Sequence, residues 1–141
     1  MRQFTPAEVH SFLLEKPRPA KLATVRADGR PHVAPIWFDL DGEALMFTTG
    51  GASVKAANLR RDARVCLCVD DDTPPFAFVL VEGTVTLSDD LEALRYWATR
   101  IGGRYMGNDL AEAYGKRNGV PDELLARVTP TKMIGRAGIS D

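Results

Sequence analysis

Cysteine, histidine and long apolar runs are what this 141-residue chain has least of, with two of each residue type. Cys66 and Cys68 lie two apart in an apolar run, which in a strand sends both thiols to one face. That spacing is poor for a mutual disulfide, and no second cysteine pair or nearby histidine completes a zinc set. Both are expected as buried small hydrophobes. His10 and His32 have no partner at metal-ligand spacing, so no metal site is expected. The longest apolar runs, such as Phe76-Ala77-Phe78-Val79-Leu80-Val81, are too short to span a bilayer. The first residues, MRQFTPAEVHSFLLEK, do not read as a signal peptide, and a cytoplasmic location is expected. A strong charge of one sign is missing too: 18 basic residues stand against 19 acidic, a net charge of −1. No global field recruits nucleic acid or membrane, so any anion site must be local.

What is present is an ordinary globular composition, 45% hydrophobic and 26% charged, with no internal repeat and the length of one domain, taken as residues 1–141. Thr5-Pro6-Ala7-Glu8 is a helix start with a capping box, and Val9, Phe12 and Leu13 carry a short helix to before Pro17. Leu22 to Val25, His32 to Phe38 and Ala44 to Thr48 then read as three strands joined by hairpins at Asp28-Gly29 and Asp41-Gly42. Pro35 cannot donate to a ladder, so one side of the second strand must lack a neighbour. A helix over Ser53 to Arg61, a strand over Arg64 to Val69 and a long strand over Phe76 to Leu87 follow. Glu82-Gly83 marks a bulge or bend in that last strand. Ser88-Asp89-Asp90 caps a helix whose apolar set is Leu91, Leu94, Trp97, Ala98 and Ile101. Helical pieces over about Leu110 to Asn118 and Asp122 to Leu125, and a strand over Val128 to Gly138, complete the chain. Six or so hairpin-joined strands favour a small closed barrel over a parallel sheet.

The stretch TTGGASVKAANLRRD, residues 48 to 62, is the candidate site. An apolar strand ends in two threonines and two glycines, and Ser53 opens a helix with Lys55 one turn in. Freed backbone N–H groups, hydroxyls and an ammonium suit an anion. The same features also describe an N-capped surface helix with solvated cations.

In this order, strand, D-G hairpin, strand, D-G hairpin, strand, T-T-G-G-x-S-x-K and N-L-R-R-D, the chain resembles the split β-barrel flavin and deazaflavin oxidoreductases related to pyridoxamine 5′-phosphate oxidase. The likeness extends to Lys21 to Thr24, Glu82-Gly83 and Arg104-Tyr105-Met106-Gly107. It is nearer to the actinobacterial branch that uses the deazaflavin F420 and includes biliverdin reductases. The resemblance implies a mainly β (α+β) split β-barrel, like FMN-binding proteins, with short peripheral helices. It implies a cofactor phosphate held by Thr48, Thr49, Ser53 and Lys55, and a ring lying along backbone groups of Ala34, Pro35 and Ile36 with Trp37 beside it. Trp37 has an alternative place in the core. Asn58 either contributes to the cofactor site or ties the helix to the barrel. Arg60, Arg61 and Arg64 either meet the F420 tail or face solvent. Where oxidases carry an arginine and a lysine on the second strand, this chain has His32 and Trp37, and Val54-Lys55 replaces Arg-Lys, which disfavours FMN.

The function this implies is an F420H2-dependent reductase passing a hydride to a conjugated small-molecule acceptor, biliverdin-like. FMN in an oxidase-like enzyme and a cofactor- or tetrapyrrole-binding module without turnover are the alternatives. The cofactor carries such chemistry, so no catalytic triad is expected. Tyr105 and Tyr114 are candidate proton donors, each with a structural alternative. A homodimer is expected, because Phe76 to Leu87 is apolar on both faces, and the resemblance places two sites at its interface.

Overall fold

Thr5 accepts from the Glu8 backbone N–H while the Glu8 carboxylate accepts from the Thr5 N–H, so the expected capping box is formed. The computed structural model describes residues 1–141. A two-residue strand β1 (Arg2–Gln3) precedes the capped helix α1 (Pro6–Glu15). There follow β2 (Ala20–Val25), β3 (Pro31–Ile36), β4 (Asp39–Asp41), β5 (Ala44–Gly50), α2 (Val54–Arg61), β6 (Arg64–Asp71) and β7 (Ala77–Ser88). The chain ends with α3 (Leu91–Met106), a 3-10 turn at Asn108–Leu110, α4 (Ala111–Asn118) and β8 (Glu123–Ala137). No helix is long and apolar enough to cross a membrane.

All strand pairs are antiparallel, in the order β3-β2-β6-β7-β8-β5-β4, with β1 on β8. The eight strands form one sheet that hydrogen bonds do not close, which corrects the expected closed barrel of six. Its ends still meet, because β3 and β4 are the two edges and only Trp37 and Phe38 separate them. Ile36 and Asp39 lie within about 11 Å along a taut chain. The sheet therefore curls through nearly a full turn and stays split at Trp37-Phe38. This also corrects the second expected hairpin: β5 pairs with β4, while Pro35 sits on the free edge that its missing N–H requires.

One further expectation fails for a packing reason, while the bulge expected at Glu82-Gly83 is formed. Asp122 to Leu125 is not helical but opens β8, pairing Leu125 with Thr48 and Glu123 with Gly50. Burial of Leu125 and Ala126 outweighs the helical preference of Glu-Leu-Leu-Ala. The bulge at Glu82-Gly83 takes its extra residue from β8, where Thr131 is skipped and donates from Oγ1 to the Glu82 carbonyl. A side chain at Gly83 would stand 2.5 Å from the Thr129 carbonyl, so the glycine permits the close strand approach.

The barrel core centres on Phe38, Phe47, Leu22, Leu67 and Val81, plugged at one end by Leu13 of α1. A smaller cluster of Met46, Leu94, Trp97, Ile101 and Leu125 seats α3 on β5 and β8. Leu91, expected in that set, is exposed. Cys66 and Cys68 are unbonded and half-buried on the outer sheet face rather than in the core. Burial pushes both thiols above their ordinary pKa.

Candidate functional site

Trp37 sits where the chain leaves one edge of the sheet for the other, and neighbours fix it in place. Tyr105 stacks on it at 5.0 Å between ring centroids and 3° between planes. The Tyr105 hydroxyl accepts from the Phe38 N–H at 3.2 Å and donates to the Arg18 carbonyl at 2.9 Å. Burial raises its pKa. Arg104 donates to the carbonyls of Phe38 at 2.7 Å, Leu13 at 2.6 Å and Lys16 at 3.1 Å. Buried Asp39 accepts from the Leu40 N–H and pairs with Arg100 at 3.3 Å. The backbone groups that a break in pairing frees are thus satisfied by α3 side chains.

On the other side of Trp37, Tyr114 of α4 lies 5.9 Å away, and the Arg117 guanidinium carbon is 5.4 Å from the Tyr114 ring centre. Glycines let α4 approach this closely. A Cβ at Gly102 would stand 2.3 Å from that of Tyr114, and one at Gly115 would stand 1.9 Å from the Thr99 hydroxyl.

Beside Trp37 runs an open cleft of about 720 Å³ lined by Pro35, Ile36, Trp37, Thr48 and Lys55, with Pro19, Gly102, Arg117 and Asn118 among the rest. The structure brings together five of the expected site residues, from β3 and the link after it, β5 and α2. The remaining six do not line it. Ser53 caps α2 by accepting from the Ala56 N–H at 3.0 Å, and its hydroxyl is 3.0 Å from that of Thr49, which is buried. Asn58, also buried, donates to the Thr24 hydroxyl at 3.0 Å and ties α2 to β2. Arg60 donates to the Gly51 carbonyl at 2.7 Å, and Arg61 to the Val25 carbonyl and to Asn58. Ala34 is half-buried opposite Leu22 on the edge strand. Arg64 pairs with Asp62 at 2.7 Å, which holds that carboxyl down at about 2.

Lys55 makes no ion pair and no hydrogen bond through its side chain. Its charge is felt by Glu123, whose pKa burial raises and Lys55 opposes. Arg117 likewise has no partner beyond the Tyr114 ring. Sequence reading missed Arg117, Asn118 and Gly102, because only the α3–α4 packing carries them to the cleft. The one available signal was the Gly-Gly pair inside α3, unfavourable in a helix unless something packs there.

A family model described as pyridoxamine 5′-phosphate oxidase matches residues 5–136. The F420H2-dependent biliverdin reductase of Mycobacterium tuberculosis (strain CDC 1551 / Oshkosh) is 35% identical over 98 residues, 67% of this chain and 68% of that protein. Among solved structures, a conserved hypothetical protein of Mycobacterium tuberculosis superposes with TM-score 0.80 at 27% identity, over 92% of this chain and 82% of the other. An F420 reductase superposes with TM-score 0.69 at 31% identity, over 87% and 94%. With the split antiparallel sheet, a match running nearly from end to end places this chain in the pyridoxamine 5′-phosphate oxidase family.

Proposed function

We propose that this protein is an F420H2-dependent reductase of a conjugated small-molecule acceptor of the biliverdin type. The observation that carries the reading is the unpaired Lys55 beside Thr48 in a cleft walled by Trp37. The names of the two relatives more than 30% identical support the choice of cofactor. The donor set fits: an uncommitted ammonium and a hydroxyl for a phosphate, and an aromatic face with free edge-strand backbone for a flat ring.

When bound, F420H2 supplies the hydride. Lys55 and Thr48 would hold its phosphate, and the backbone of Pro35 and Ile36 would offer polar groups to its ring. Thr49, Ser53 and Asn58 fix the start and seat of α2, and so the position of Lys55. Trp37, backed by Tyr105, would offer ring and acceptor an aromatic face in a cleft that is open to solvent. Tyr105 is a strut: its proton is held by the Arg18 carbonyl, which leaves solvent or Tyr114 as the source of the proton that completes reduction. The active form is a homodimer with two sites at its interface. Its contact surface is the outer sheet face, where Cys68, Leu80 and Ile134 are cross-strand neighbours on β6, β7 and β8, a stripe of half-buried apolar side chains.

Titrating F420 and FMN against one apo sample tests the cofactor. F420 is expected to bind more tightly, and F420H2 oxidation to depend on an added acceptor. Equal or tighter FMN binding overturns the deazaflavin reading, and binding without turnover leaves a sequestering module. Light scattering giving a mass near 15.4 kDa at micromolar concentration overturns the dimer.

A further inference from the structure

Two cations line the cleft without an anionic partner, and the cofactor reading uses one of them. The other, Arg117, lies on α4, a different element from Lys55. Its neighbour Lys116 has an ordinary surface pairing, 3.5 Å from Glu112 one turn back. Arg117 has no such pairing; its guanidinium is placed over Tyr114, at the end of an aromatic row running through Trp37 to Tyr105. The row is rigidly mounted, since the contacts at Gly102 and Gly115 fix α4 against α3. Asn118 lines the cleft beside it. A planar fork held on an aromatic ring, with its N–H edges uncommitted, is suited to accept a carboxylate with little ordering cost.

We infer that Arg117 is a specificity-determining contact for an acidic acceptor, its guanidinium, seated over Tyr114, receiving a carboxylate carried by a flat conjugated molecule that lies against Trp37. This rests on the reductase reading for the word acceptor, although the carboxylate site itself does not require turnover. The competing explanation is that a cation in the last turn of α4 merely complements the helix dipole. That explanation predicts no dependence of ligand binding on Arg117.

Biliverdin and its dimethyl ester share a conjugated skeleton and differ in carboxylate charge, and quenching of tryptophan fluorescence reports their binding to the apo protein. The parent is expected to prefer the acid by about tenfold at low salt. Arg117→Gln should abolish the preference by weakening the acid alone, Arg117→Lys should keep part of it, and Lys116→Gln should keep all of it. Affinity for F420 should stay within about twofold in each variant, since Lys55 is untouched. A parent with no acid preference, including one that binds neither compound, overturns the inference. So does an Arg117→Gln protein that keeps the preference, or one that loses F420 instead. If the parent fails to bind F420 yet shows the Arg117-dependent preference, the reductase reading falls and the carboxylate site stands.

Discussion

Arg104 and Arg117 sit on successive helices at the two ends of one aromatic row, and their surroundings are opposite. The Arg104 side chain is 12% exposed and donates to three backbone carbonyls, with Asp39 3.9 Å away. Arg117 is exposed and touches only a ring. The first is a structural bolt that holds the chain where it jumps between sheet edges. The second is a cation that folding has left unspent. The same division separates Arg60, Arg61 and Arg64, each bound to a carbonyl or carboxylate, from Lys55. In a chain of net charge −1, the proposed anion site would be made by leaving two cations unpaired at one place rather than by collecting many.

The comparison breaks most visibly at Arg104. Arg104→Ala leaves three carbonyls without their donor and Asp39 without one of its two cations. We expect a loss of about 3 kcal/mol in urea unfolding, with Arg104→Lys recovering only a fraction because one ammonium cannot reach as a fork does. A loss below about 1 kcal/mol would show that water satisfies these carbonyls equally well. Gly115→Ala comes next, at about 1–3 kcal/mol, because its Cβ meets the Thr99 hydroxyl and overpacks the α3–α4 contact. Thr99→Ala in the same chain should restore part of the stability. If thermal unfolding shows no change, the glycine contact does not hold α4 in place.

Lys55→Ala should do the reverse. A charge-assisted phosphate contact is worth about 1.5–3 kcal/mol, roughly ten- to a hundredfold in F420 affinity, while stability should move by less than about 0.5 kcal/mol. Unchanged F420 affinity would remove Lys55 from the phosphate site.

What could be read from the sequence divides along the same line. The α1 capping box, the Ser53 cap, the first hairpin and the free edge at Pro35 are local signals, and each is formed, while the Asp41-Gly42 turn joins β5 to the short β4. Pro35, Ile36, Trp37, Thr48 and Lys55 were placed together through their order in a familiar pattern. Asp122 to Leu125 was misread because its strand state depends on β5, more than seventy residues earlier in the chain. Thr49, Ser53 and Asn58 have the chemistry of ligands, but only coordinates reveal that their polar atoms already bond one another or neighbouring strands. Arg117 could not be found, since nothing local distinguishes a cation paired across one turn, like Lys116, from one with no partner.

The smallest expected effect belongs to Glu123, an acid that feels the charge of unpaired Lys55. Opposite Gly50 on β8, its carboxyl is raised chiefly by burial, while Lys55 pulls it down and Asp122 pushes it up. Because the folded pKa lies above the unfolded one, the folded state holds the proton more tightly, so this group's contribution favours folding as pH falls toward the acidic side. A phosphate at Lys55 would neutralise the charge that lowers Glu123 and add a like charge beside it, raising its pKa further. Binding should then take up a fraction of a proton and tighten as pH drops through the titration of Glu123. Glu123→Gln removes the like charge at every pH. At this partly exposed position we expect F420 to bind about two- to fivefold more tightly to the variant near neutral pH, and the advantage to fade on acidification. Calorimetry in two buffers of different ionisation enthalpy would detect the proton uptake and its loss in Glu123→Gln. Identical proton uptake in parent and variant would place the bound phosphate away from Glu123, and with it away from Lys55.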